Sequence, residues 1–215
     1  MFINNFKNSI ILVMFAIFFS GFTAVVYKLT NNIIMQQDRI HIIKLLNEIV
    51  DCTGSNCCII QDNYHIQNKI LGDKDLHRFW LVKKKHSIYA FIIETTAPDG
   101  YSGDIKMLVA SDLHGNIIGV RIIKHNETPG LGDKIDIHIS NWITYFSGMN
   151  VLPSINYVFS IKKDGGIINQ FTGATITPRA VTNAIRNTVV FIVHSLSSHT
   201  LMDIKGNIIY VDKKN

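Results

Sequence analysis

With 215 residues the chain has room for one ordinary domain plus an anchor. Its hydrophobic content of 47% and mean hydropathy of +0.19 are high for a soluble protein. The net charge of +5 is scattered, and its longest basic run, Lys83-Lys84-Lys85, has neither aromatic interleaving nor a nucleic-acid motif beside it, so nucleic acid is excluded as the expected partner.

After a short tail (residues 1–8), no charge falls between Lys7 and Lys28, and the run from Ile10 to Tyr27 is almost entirely apolar. About 20 such residues cross the hydrocarbon core as a helix, so residues 9–28 are expected to span a membrane and contact its lipid. The run exceeds the roughly 7–15 residues of a signal-peptide core, and Phe22 and Tyr27 interrupt any small-x-small cleavage pattern. Lys7 precedes the span while Lys28, Arg39 and Lys44 follow it. That bias leans toward a cytoplasmic body, although large domains translocate largely regardless of charge.

Residues 29–50 read as a helical connector, with Ile42, Ile43, Leu45, Leu46, Ile49 and Val50 close to one face. The main domain is expected over 51–215 with its core at 88–196, and Asp51–Asn63 reads as its opening loop. Cys52, Cys57 and Cys58 form no Cys-x-x-Cys; a bridge from Cys52 to either neighbour and free thiols both stay open.

His77–Val82 and Ile88–Thr96 are β-branched and aromatic, with a turn expected at Lys83–Ser87. Ala97-Pro98-Asp99-Gly100 breaks the pattern. Ile105–Ala110 and Ile117–Ile123 predict a second hairpin, turning through 111–116. Asp133–Phe146 has helical spacing, placing Ile135, Ile139, Trp142, Ile143 and Phe146 on one side. Ile155–Ile161 and Ile167–Phe171 are short strand candidates, Pro178–Leu196 is the best helix outside the anchor, and Ile208–Val211 a terminal strand. The expected class is α+β: a twisted antiparallel sheet with packed helices. Trp80 and Trp142 are expected in the core.

Two glycine-bearing loops stand out. One is His125-Asn126-Glu127-Thr128-Pro129-Gly130-Leu131-Gly132; the other is Thr172-Gly173-Ala174-Thr175, running into Ile176-Thr177-Pro178. Thr177 suits an N-cap and Pro178 the first helical position. Thr175 is thereby presented just before a helix start, where unpaired N–H groups and the dipole favour a phosphate. Its hydroxyl can hold a phosphate or be esterified to one. No Ser/His/Asp set, zinc spacing, P-loop or dinucleotide fingerprint is present, so neither a catalytic residue nor a metal site is expected.

These loops, together with Gly100-Tyr101-Ser102-Gly103, Gly119-Val120-Arg121 and Lys163-Asp164-Gly165-Gly166, run in order behind one anchor. In this the whole chain resembles the FMN-binding G subunit of Rnf-type ion-translocating electron-transport complexes and, more distantly, the C subunit of the sodium-pumping NADH:quinone reductase. The resemblance implies FMN held by a phosphoester on the last threonine of the motif, here Thr175, and placed there by a separate flavin transferase. Thr172, Gly173, Ala174 and Thr177 would surround the attachment point, and Glu127, Thr128, Gly130, Leu131 and Gly132 would lie near the flavin. His125 would be a loop residue or a proton group. Other membrane and peripheral subunits of the same complex are the implied partners, and the bacterial inner membrane, with the flavin domain in the periplasm, is the implied location. A tether makes sense there, because it keeps the cofactor at high effective concentration. One departure is Asn169, which stands where the transferase pattern has an acidic residue; Asp164 is out of register to replace it. A membrane-anchored scaffold that has lost its flavin is therefore the alternative, and a free-standing flavin reductase a third reading.

Overall fold

The computed structural model describes residues 2–50, 57–84, 87–151 and 159–197. The chain divides into two compact units, Met1–Lys44 and Leu45–Asn215. Helix α1 runs over Phe2–Ile49, and from Ser9 it is long and apolar enough to cross a membrane, with a mean hydropathy of 2.4 in its most apolar stretch. Ile10, Leu12, Phe15, Phe18 and Phe22 are exposed along it, as lipid-facing residues would be.

The second unit is built on a five-stranded antiparallel sheet in sequential order: β1 (Cys57–Ile66), β2 (His77–Lys84), β3 (Ser87–Ala97), β4 (Ile105–Asp112) and β5 (Ile117–Lys124). The α+β expectation holds. Four of these strands fall where alternation places them, while β1 takes up residues 57–63 of the loop expected at Asp51–Asn63, whose first part (51–56) lies outside the described residues. Its polar Gln61-Asp62-Asn63 sits where the β1–β2 register shifts, between Ile60 and Tyr64. A bulge accommodates residues that read locally as a turn. The centre of the Lys83–Ser87 turn, the Cys52 pairing and the strand at Ile208–Val211 lie outside the described residues.

Helix α2 (Ile176–Ser197) covers one face of the sheet. Side chains alternate across a strand, and Ile105, Met107, Val109, Val120 and Ile122 pack with Ala180, Val181, Ala184, Ile185 and Val189. Farther along, Phe91 and Ile93 meet Phe191 and Ile192. Thr188 Oγ1 shares its one proton between Thr95 Oγ1 at 2.9 Å and the Ala184 carbonyl at 2.8 Å, and Thr95 in turn donates to the Leu71 carbonyl. On the opposite face, Gly119 lets the last turn of α1 approach closely: a Cβ there would lie 3.2 Å from Ile49 Cγ2. Arg121 beside it donates to the Glu48 carbonyl at 3.2 Å and meets its carboxylate at 3.4 Å. A cation thereby satisfies an orphan carbonyl at the end of the helix.

The expected helix over Asp133–Phe146 is two short 3-10 turns instead, η1 (Gly132–Ile135) and η2 (Asn141–Phe146). Asp136 Oδ1 accepts from the His138 N–H, and Ser140 Oγ accepts from the Trp142 N–H while donating to the Lys134 carbonyl. Side-chain acceptors outcompete the helical ladder here. Ile135, Ile143 and Phe146 are still buried, but Ile139 is 52% exposed, which one continuous apolar face would not leave. Ile167–Phe171 is likewise no strand: Ile168 makes one parallel bridge to Ile161, and Phe171 one bridge to Ala174. The segment 155–158 of the other strand candidate lies outside the described residues.

Strand register decides where the loops emerge. Lys106, at the start of β4, pairs with Thr96 near the end of β3 and with Lys124 at the end of β5. Segments 98–104 and 125–132 therefore leave the same end of the sheet. The opposite turn is fixed by Asp112, whose Oδ1 accepts the His114 and Asn116 N–H groups at 2.8 Å and whose Oδ2 accepts the Asn116 amide at 2.7 Å. Burial alone would raise this carboxyl, but the bonds from Asn116 and His114 outweigh it and hold it below its ordinary value. Its stabilisation is therefore complete above the unfolded value of about 3.9 and disappears as pH falls through the lower folded value. Asp112→Ala should lower unfolding free energy by about 1–3 kcal/mol at neutral pH. In denaturant titrations of the full chain in detergent, this gap should narrow only at acid pH.

Candidate functional site

Helix α2 begins at Ile176, two residues earlier than the capping pattern suggests. The Thr175 carbonyl accepts the Arg179 N–H at 3.3 Å, so Thr175 is the flanking residue and Thr177 is already inside the first turn. Pro178 is still tolerated, since the first N–H groups of a helix have no partner within it. The N-cap reading of Thr177 is thus corrected, and the reason is a tertiary acceptor. Thr177 is 1% exposed, and its hydroxyl donates to Glu127 Oε2 at 2.5 Å. Thr175 is half-buried, and its hydroxyl has no hydrogen-bond partner among the described residues.

The preceding motif forms a tight turn. The Phe171 carbonyl accepts the Ala174 N–H at 3.2 Å, and Gly173 takes a φ of +83°, as the third residue of a type II turn requires. Thr172 and Gly173 are exposed and Ala174 is half-buried. The position a Cβ would take on Gly173 is 3.7 Å from Leu131 Cδ2, so the turn rests on the other glycine loop. Trp142 fixes the approach to it: the indole N–H donates to the Asn169 carbonyl at 2.6 Å, and the ring packs edge-on against Phe171 and Phe146. It packs on the core, and Trp80 is buried in β2.

In the 125–132 loop, the Thr128 carbonyl accepts the N–H groups of Leu131 and Gly132 at 3.2 and 3.1 Å, while Gly130 adopts a φ of +77°. Thr128, Gly130 and Leu131 are exposed; Gly132 is buried. His125 Nδ1 accepts the Glu127 N–H at 3.1 Å, which makes His125 a brace of the loop. Glu127 itself is 5% exposed. Its Oε1 accepts the Ser102 N–H at 3.1 Å while Oε2 holds Thr177. One carboxylate thus joins 100–103, 127–132 and the start of α2.

Two glycines make room for it. A Cβ on Gly100 would lie 2.9 Å from Glu127 Oε1 and 2.1 Å from the Gly103 carbonyl. On Gly132 it would lie 2.7 Å from Glu127 Oε2 and 2.9 Å from Thr177 Oγ1. Glu127, Leu131, Gly132, Gly173 and Thr177 are therefore brought together, whereas Thr172 stands outward on the turn. Tyr101, Leu131 and Ile176 expose apolar surface on the three joined segments. The buried oxygens Asp133 Oδ1 and Gln170 Oε1, next to the loop and the turn, lack partners among the described residues. Open space over the left-handed Gly130, apolar surface and a free hydroxyl at a helix start suit a phosphorylated ring cofactor.

Sequence patterning misses one feature. Arg179 forks onto Asp164, with Nε to Oδ2 at 2.6 Å and Nη2 to Oδ1 at 2.8 Å. These bonds from Arg179 hold the exposed Asp164 carboxyl below its ordinary range. Charges fifteen positions apart in sequence carry no local signal. Asn169 itself is exposed. A cleft of about 920 Å³ along α2, lined by Lys69, Asp99, Asn183, Arg186 and Asn187 among others, includes none of the residues expected at the flavin.

Comparison with known proteins gives two family matches: residues 100–190 match the FMN-binding domain, and residues 1–49 match the RnfG N-terminal region. The first match covers all three joined segments. The chain is 47% identical over 194 residues to the ion-translocating oxidoreductase complex G subunit of Buchnera aphidicola subsp. Baizongia pistaciae (strain Bp), covering 90% of each chain. It is 46% identical over 186 residues to the protein of that name from Yersinia pestis, covering 86% of this chain and 89% of the other. With the one from Escherichia coli O157:H7 the identity is 41% over 180 residues, covering 84% and 87%.

The tight packing around Glu127 makes a simple steric expectation. Gly132→Ala should destabilise the full chain by about 1–3 kcal/mol in urea titration, because its methyl meets two oxygens held in a hydrogen bond. Gly130→Ala meets no atom within 4 Å and should cost only about 1 kcal/mol, for its left-handed backbone.

Proposed function

The chain belongs to the G-subunit family of ion-translocating oxidoreductase complexes, and from that premise we propose that Thr175 carries FMN through a phosphoester bond. The flavin domain then relays electrons between redox centres of a membrane complex whose other subunits are its partners, and ion movement is coupled to that relay. The bound flavin supplies the electron exchange; the protein supplies attachment, orientation and electrostatics.

One observation supports this reading most. Of the three hydroxyls in 172–177, only Thr175 combines a place at the start of a 22-residue helix with a free, half-buried side chain. An anionic phosphoester there is favoured by the helix dipole, by about 0.3–1 kcal/mol in exposed settings. Thr177 is spoken for by Glu127, and Thr172 lies on the turn ahead of the helix. Leu131, Gly130, Thr128, Gly173 and Ala174 border the space into which the cofactor extends from Thr175.

The domain limits follow the same reading: 9–28 spans the bacterial inner membrane in contact with lipid, 29–50 connects, and 51–215 is the flavin domain on the periplasmic side. A flavin transferase acts on it during maturation. The exposed Asn169, in place of an acidic residue, is the observation that favours a flavin-free scaffold.

Full-length protein made together with its transferase separates the readings on a denaturing gel under ultraviolet light. A fluorescent band is expected for the wild type and for Thr172→Ala, and none for Thr175→Ala. A dark wild-type band favours the scaffold.

A further inference from the structure

We propose that Glu127 is a positioning residue that selects which threonine bears the flavin, an inference that rests on the phosphoester reading above. Thr172, Thr175 and Thr177 lie within one short segment, and sequence proximity alone does not choose among them. Thr177 sits in the first turn of α2, close to the same unpaired N–H groups as Thr175. Its proton, however, is donated to Glu127 Oε2 at 2.5 Å, and its Oγ1 is roofed by Gly132, on which a Cβ would come within 2.9 Å. At 1% exposure it is closed to any transferase. Thr172 is exposed, but it precedes the helix by a complete turn of the motif.

The carboxylate does two things with its two oxygens. Oε2 withdraws Thr177, and Oε1, bonded to the Ser102 N–H at 3.1 Å, anchors that grip to the 100–103 loop. The first turn of α2 is thereby held in place, and the flanking Thr175 keeps a free hydroxyl beside the helix start. Attachment forms a Thr175 Oγ1–P bond with FMN from a flavin phosphoanhydride. The anhydride P–O bond breaks, its leaving group departs as a phosphate monoester, and the hydroxyl proton passes to solvent. Glu127 touches none of these reacting atoms; it fixes where the acceptor stands.

Glu127→Gln keeps the volume but turns one acceptor oxygen into an N–H2 group: with the amide oxygen on the Ser102 N–H, Thr177 must accept instead of donate, so its proton is released and both contacts lose their charge assistance. The test uses full-length protein co-produced with limiting transferase, and fragmentation of the tryptic peptide 164–179 locates flavin among the three threonines. In the wild type, flavin is on Thr175 alone. In Glu127→Gln, Thr175 occupancy falls about tenfold, the scale set by losing one charge-assisted bond, or the flavin is divided with Thr177. Thr177→Val lowers Thr175 occupancy and Thr177→Ser retains it. Thermal midpoints measured alongside identify any variant that does not fold; if Glu127→Gln is such a variant, Thr177→Val against Thr177→Ser decides. Full occupancy confined to Thr175 in folded Glu127→Gln, or in Thr177→Val where that pair decides, overturns the inference. Unmodified wild-type protein instead overturns the phosphoester reading.

Discussion

Glu127 carries a carboxylate that is almost completely removed from water yet has a donor on each oxygen. Burying such a group without partners would cost several kcal/mol. The chain meets that requirement with one backbone N–H and one hydroxyl, drawn from segments twenty-five residues before and fifty residues after it in sequence. Charge-assisted bonds of this kind are short and directional, so the carboxylate fixes not only contact but relative placement. Gly100 and Gly132 are consequences of the same constraint, since a methyl group at either would intrude on its oxygens.

The rest of the domain brings these pieces within reach. The β3–β4–β5 register opens the 98–104 and 125–132 loops at one end of the sheet. α2 lies across the face of that sheet through an apolar seam from Ala180 to Ile192, and its first turn meets Glu127. Trp142 and the bridge of Ile168 to Ile161 steer the chain into the Phe171–Ala174 turn, so that Thr175 arrives at the helix start with its hydroxyl free. Membership of the G-subunit family gives this geometry its chemical context.

How much of this was legible in the sequence depends on the range over which each signal acts. Strands β2 to β5 and α2 declare themselves because alternation and helical spacing are local, and the glycine loops carry their own backbone requirements at Gly130 and Gly173. β1 was hidden by Gln61-Asp62-Asn63, polar residues that a bulge absorbs. The helical spacing of 133–146 misleads because Asp136 closes the first turn and Ser140 caps the start of the second, each through local hydrogen bonds. Thr177 read as a cap because the rules for helix starts see only neighbouring residues, whereas its partner is fifty positions away. The Asp164–Arg179 fork escaped for the same reason.

A double-mutant cycle between Glu127 and Thr177, using Glu127→Ala, Thr177→Val and the pair, tests most directly whether this carboxylate ties the loops to α2. Unfolding free energies of the full chain should give a coupling of about 1–3 kcal/mol. Effects that simply add, with a coupling near zero, would contradict the account.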